Sequence, residues 1–282
     1  MTILPLSPLL ELPVEIRLMI YQYLLVPSGS PSTSKQANIN LRLIDPTEEP
    51  IEWSKAVLPT LRRSKCHIHT GRFRGRTMQT TYTTNGNPKI HAAILATCHK
   101  LHSEGAEVLY GNNTFTFGTS VEAITPFLED LTSASKSHIK RLSLTKRALP
   151  YDRDFDSAEW HTATSSISTH LPTLTILDLS IVAGRPATGY DDVIEWIKED
   201  FECWTKRTWA GLEWVKDLAR CSAKIVNVKA EVEHCPPPTS ERMQFYVEVS
   251  KSVERGFGEW VRELITGGEG GEFVDGGLDG IH

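Results

Sequence analysis

The sequence predicts an α/β chain, with α+β as the alternative, organised as an irregular helix–strand array. Two observations carry this. The stretches "IKRLSL" (139–144), "LPTLTILDLSIV" (171–182) and "KIVNVKAEV" (224–232) read as strands, and each follows a helical stretch, at about 120–134, 156–169 and 190–220. Within the second strand Leu171, Leu174, Leu177 and Leu179 fall in the register of a leucine-rich repeat, and "IKRLSL" matches it in part. Short strands of this kind place alternate leucines under a helix. From Leu142 to Leu177 is 35 residues and from Leu177 to Val226 is 49, whereas regular leucine-rich repeats run about 20–29 residues. The array is therefore irregular, and whether its strands share one sheet stays open.

At the amino terminus, "LLELPVEIRLMIYQYLL" (9–25) repeats Leu12, Ile16, Ile20 and Leu24 every four residues, widened by Met19 and Tyr23. That is one face of a helix. Pro13 suits the first turn, where its missing N–H costs nothing, and Glu11 and Glu15 suit the positive helix start. "VPSGSPSTS" (26–34) ends the helix as a flexible loop. Signals are weak over 38–90, where "INLRLID" and "QTTYTT" alternate like strands and "NGN" marks a turn.

A second amphipathic helix follows in "KIHAAILATCHKLHSEGAEVLYG", with Ile94, Leu95, Cys98, Leu101, Val108 and Leu109 on its apolar side and Gly111 as terminator. "NTFTF" then alternates as a short strand. "CPPPTS" separates the array from a last helix, about 240–265, which carries Tyr246, Val249, Val253, Phe257, Trp260 and Leu264 at spacings of three and four. The Gly-rich, acidic tail 266–282 reads as disordered.

Composition bounds the function. With 282 residues, 40% hydrophobic and 23% charged, the chain is that of a globular protein. A net charge of -5 gives no global attraction to nucleic acid or anionic lipid. Five scattered cysteines without a CxxC pair fit a reducing compartment. Residues 1–10 lack a secretory pattern and no 18 apolar residues run together. A cytoplasmic or nuclear protein without a membrane span is expected. No G-x-S-x-G, P-loop, G-x-G-x-x-G or HExxH motif occurs, so no catalytic residue and no cofactor are expected, and the chain reads as non-enzymatic.

"LPVEIRLMIYQYL" resembles the start of an F-box, with Leu12, Pro13, Glu15, Ile16, Ile20 and Leu24 in its places. With "ILATCHKLHSEGAEVLYGNNTFTF" downstream, the chain resembles more closely the fungal F-box-like proteins of the two-EXR type, whose signature includes the triplet Glu15-Ile16-Arg17. This resemblance implies a helical module that docks on a Skp-type adaptor of a cullin–RING ubiquitin ligase, while the rest of the chain presents a protein substrate. It also implies an F-box-like head over 1–117 with an inserted segment at about 26–90, a helix–strand recognition body over 118–265, and the tail 266–282. About 65 residues separate the first helix from the second motif, where a compact F-box has a short connection.

Each candidate has a structural alternative. The stripe from Leu12 to Leu24 can be the protein's own core, packed on the helix at 94–109. That reading weighs slightly more than adaptor docking, because a monomer seldom leaves so many large apolar groups in water. The two coexist if one face packs inward while Leu12, Pro13 and Ile16 anchor a partner. Segment 61–76 carries Arg62, Arg63, Lys65, Arg72, Arg74 and Arg76 with no acid. It could bind RNA phosphates, but a solvated loop is preferred given the acidic whole, and nucleic acid is not the expected partner.

Cys66, His67, His69, Cys98 and His102 lack the paired spacing of a zinc site, so no metal is expected, and Cys98 reads as a small buried group. Asp191–Asp192 and Glu199–Asp200 read as a helix start and a solvated face. Trp196, Trp204, Trp209 and Trp214 read as core, unless one or two rings are exposed and mark a binding hot spot.

Overall fold

A computed structural model of the chain describes residues 8–26, 38–44, 62–67, 77–85, 90–147, 154–209 and 211–267. Helices α1 (Pro8–Glu11) and α2 (Val14–Leu25) precede strands β1 (Asn38–Ile44), β2 (Arg62–His67) and β3 (Thr77–Asn85). A 3-10 turn at Ala92–Ala96 leads to α3 (His99–Asn112) and β4 (Thr114–Gly118). Helix and strand then alternate. Helices α4 (Ile124–Glu129) and α5 (Ser133–His138) lead to β5 (Arg141–Arg147), α6 (Asp154–His170) to β6 (Ile176–Pro186), and α7 (Lys198–Arg207) with α8 (Glu213–Leu218) to β7 (Ile225–Cys235). Last come α9 (Glu241–Ser252) and α10 (Gly258–Thr266), joined through a kink at Val253–Phe257 where Arg255 is non-helical (φ -110°, ψ -106°).

The seven strands of the described residues form one sheet in the order β2-β3-β1-β4-β5-β6-β7. From β1 to β7 neighbouring strands are parallel, and β3 pairs antiparallel with both β1 and β2. The α/β expectation is met, and the strands at 142, 177 and 226 share this sheet. Leu142 lies opposite Leu177 and Leu177 opposite Val226. The uneven spacing in sequence is absorbed by the crossovers, so the register stays even. The sheet also runs unbroken through the boundary expected at 117–118, which falls inside β4.

Alternation decides which face is covered. Leu142 and Leu144 in β5, Leu177, Leu179 and Ile181 in β6, and Val226 and Val228 in β7 are buried. Phe115 and Phe117 extend that face across β4, where both rings meet Phe127 of α4. Trp160 of α6 and Trp214 of α8 meet edge to face at 5.6 Å, with the Lys146 ammonium over both rings. The opposite positions (Ser143, Thr145, Asp178, Ser180, Asn227 and Lys229) are partly or fully exposed, and Asn227 Nδ2 donates to Asp178 Oδ1 at 2.7 Å across that open face.

Several expectations need correction. The helix read over 89–111 is broken: Cys98 is extended (φ -161°, ψ 163°), exposed, and precedes α3. Its apolar periodicity straddles that break, so Cys98 is not a buried group. Gly111 lies within α3, which continues to Asn112. The helix read over 120–134 is two short helices, because Thr132 Oγ1 accepts from Ser135 N and starts a new one. That read over 190–220 is likewise two, α7 and α8, broken where Gly211 takes φ 79°.

Segment 62–67 is not a loop but the edge strand β2. Its six polar residues give no apolar alternation to read, and charged side chains are a common feature of sheet edges. The tail beyond 267, the turn "NGN" beyond Asn85 and most of the loop 26–34 lie outside the described residues.

Candidate functional site

An ion pair joins the two sequence motifs. Arg17 of α2 donates through Nε to Glu104 Oε2 at 2.8 Å and through Nη2 to Oε1 at 2.7 Å, a bidentate pair with α3. Tyr21, one turn on, donates its hydroxyl to Glu104 Oε2 at 2.9 Å. Arg17 Nη1 also donates to the Leu12 carbonyl, holding the residue at the start of the helix. Arg17, Tyr21 and Leu25 are the buried residues of α2.

At its far end the free carbonyls of α2 are satisfied by the second motif. Asn113 Nδ2 donates to Leu25 O at 3.0 Å and Leu109 O at 2.7 Å, and His91 N donates to Leu24 O at 2.9 Å. Gly105 leaves room for Leu95 to close on α3 beside Leu25.

The electrostatics follow from this pairing. The Arg17 hydrogen bonds hold the Glu104 carboxyl below its ordinary value, against the opposing effect of burial. Burial first, then the Glu104 carboxylate, pushes the Tyr21 phenol up to about 12. Glu104 therefore contributes stability that is complete above the ordinary value of 4.5 and is lost as pH falls through its lowered value. Tyr21 contributes stability that is complete below 10.0 and is lost as pH rises toward about 12. Thermal melts from neutral to acid pH are expected to show the stability gap between wild type and Glu104→Gln narrowing as pH falls below 4.5. A constant gap down to full carboxylate protonation would contradict the pairing.

With that buried line fixed, the apolar stripe turns outward. A strict spacing of four residues advances about 40° around the helix at each step. Ile16 therefore begins on the solvent side, with Leu12 exposed ahead of the helix, whereas Ile20 and Leu24 reach the half-buried shoulder. Leu12 is 36% exposed, Ile16 43%, Met19 68% and Tyr23 79%. Pro13 and Glu15 are exposed beside them. The reading of this stripe as the protein's own core holds only for its inner shoulder. The inward line of Arg17 and Tyr21 lacks an apolar signature, and the usable signal was a lone arginine within the helix and a glutamate within the second motif.

Other candidates are placed as follows. Arg62, Arg63 and Lys65 lie on edge strand β2, and Arg72, Arg74 and Arg76 lie outside the described residues. Cys66 and His67 are on the same strand, His69 is outside the described residues, and no group of three or more metal-binding side chains occurs among those described. Asp200 accepts from Ile197 N at 3.0 Å ahead of α7, and Asp191 and Asp192 lie in a turn. Trp214 is buried, whereas Trp196, Trp204 and Trp209 are half-buried. Among the described residues, no helix is long and apolar enough to cross a membrane.

Cysteine exposure makes a direct check on these placements. Cys98 and Cys203 are exposed, while burial pushes the Cys221 thiol up to about 12. Since the thiolate is the reactive form, a maleimide is expected to label Cys98 and Cys203 in the native protein and Cys221 only after unfolding. Peptide mapping by mass spectrometry reads the outcome.

No curated protein and no solved structure matches this chain. The model of a family described as a domain of unknown function (DUF7730) matches residues 5–229, and on a match across most of its length the chain belongs to that family.

Proposed function

We propose that this protein is a non-enzymatic, F-box-like interaction module that docks on a Skp-type adaptor through α2 and receives a protein substrate for cullin–RING ubiquitin ligation on its helix–strand body. The exposed apolar edge of α2 is the observation that carries this reading. Ile16, Met19 and Tyr23 are spaced three and four residues apart, the pattern of anchors on a helix laid in a groove, and Leu12 is exposed just ahead of them. Four such groups are an unusual concentration of apolar surface on one short helix and its entry. The Arg17–Glu104 pair supports the same reading, because it fixes the helix from behind and leaves its outer edge free to be presented.

Co-expression with a Skp-type adaptor tests it. The wild-type chain is expected to co-purify with the adaptor, and Leu12→Asp/Ile16→Asp is expected to lose it with little change in melting temperature, since both positions are exposed. A wild-type chain that captures no adaptor removes the ligase role. The remaining reading is then a scaffold protein that uses the same edge for another partner.

A further inference from the structure

We propose that a groove between segment 190–197, α7 and α9 binds a basic peptide segment, taking one of its lysine or arginine side chains against aromatic rings and carboxylates. The groove has a volume of about 500 Å³, and its lining includes Trp196, Trp204, Phe245, Glu241, Gln244 and Glu248. Trp204 stacks on Phe245 with ring centroids 4.5 Å apart, and Trp196 stands steeply to both at 5.7 Å and 5.3 Å. An aromatic face is electron-rich and attracts a cation.

The charge of the lining points the same way. Glu241 and Glu248 contribute carboxylates, and among the described residues no lysine or arginine lines the groove. Glu248 accepts from Gln244 Nε2 at 2.9 Å, and among the described residues neither glutamate has an ion-pair partner. A cationic side chain would bring each a counter-charge that the described residues do not supply. Beside the groove, Ile194 is 68% and Ile197 59% exposed. This apolar shoulder suits the neighbouring residues of a peptide and has no use for a free small cation.

The aromatic wall is also held in place before any ligand arrives. Trp196 N donates to Ser252 Oγ at 2.7 Å, and Ser252 Oγ donates to Glu248 O at 2.8 Å. Lys251 Nζ donates to the carbonyls of Asp191 at 2.8 Å and Val193 at 2.6 Å. A kink at Val253–Phe257 follows at once, where Arg255 leaves helical geometry (φ -110°, ψ -106°), and its Gly256 lies flush against the Trp196 carbonyl. A half-buried tryptophan fixed from behind loses little freedom on binding, which favours affinity. The site is separate from α2 and stands whether or not an adaptor binds there.

Fluorescence anisotropy of the full chain with two labelled peptides decides the matter, one alternating leucine and lysine and the other with glutamine for lysine. The lysine peptide is expected to bind at least about tenfold more tightly than the glutamine peptide and to weaken with salt. Glu241→Gln/Glu248→Gln is expected to lower its affinity by about tenfold, and Trp196→Ala to remove binding. Leu12→Asp/Ile16→Asp is expected to bind as wild type does. Because Trp196→Ala disturbs a packed cluster, the glutamate pair is the deciding variant. Equal binding of the two peptides, an unaffected glutamate variant, or no binding at millimolar concentration overturns the proposal. Displacement by tetramethylammonium at concentrations matching the peptide also overturns it, in favour of a small-cation site.

Discussion

Glu104→Ala is expected to lower the melting temperature by roughly 5–10 °C and to free α2 from α3, because it leaves a buried guanidinium with no counter-charge. Arg17 gives Glu104 two of its donors, and Tyr21 gives it a third. All three lose their acceptor at once, while Arg17 and Tyr21 stay buried where α2 packs on α3. The loss then extends to the far end of the helix, where Asn113 and His91 can satisfy Leu25 and Leu24 only while α2 is seated.

A triple variant, Arg17→Met/Tyr21→Phe/Glu104→Leu, removes donors and acceptor together. It is expected to lose much less than Glu104→Ala, since apolar groups of similar size commonly replace a buried ion pair at little cost. Differential scanning calorimetry of the two variants separates these outcomes. A Glu104→Ala protein that melts with wild type would mean the pair holds nothing together. Increased amide exchange confined to residues 14–25 of the alanine variant would locate the loss in α2.

The parts of this fold that were legible in the sequence are those where burial follows a simple period. Leu142, Leu144, Leu177 and Leu179 alternate because one face of the parallel sheet is covered and the other open, so strands and their buried face could be read directly. Strand β2 could not. "RRSKCH" has no apolar alternation, and it is a strand only because β3 offers it an edge.

The amino-terminal helix shows a subtler failure. Its apolar residues were identified, but a helix apolar nearly all round does not say which side faces in. The choice is made by Arg17 and Tyr21, whose partner lies 87 and 83 residues away. The half-buried tryptophans had a local signal in their density along the chain. Their partners did not, because Phe245, Glu241 and Glu248 come from α9, beyond β7.

Gly256→Ala is expected to cost about 1–3 kcal/mol, with Gly256→Val costing more, because the added carbon has no room. A Cβ at this position would overlap the Trp196 carbonyl oxygen and would fall 2.7 Å from the Ile197 carbonyl carbon. Those are backbone atoms, which cannot rotate away as the end of a side chain can. The segment is also tied down by Trp196 N on Ser252 Oγ and by the Lys251 contacts to Asp191 and Val193, so relief requires breaking one of these or opening the kink at Val253–Phe257. Either movement displaces Trp196, and weaker binding of the lysine peptide should accompany the lost stability.

Gly111→Ala makes the matching comparison. It lies within α3, and a Cβ added there would first meet the His138 carbonyl oxygen at an ordinary 3.7 Å. There the higher helix propensity of alanine is expected to raise stability by about 0.5–1 kcal/mol. Urea titrations of the two variants should therefore move in opposite directions. If Gly256→Ala also gained stability, the close approach of the kink Val253–Phe257 to the tryptophan segment would have to be abandoned.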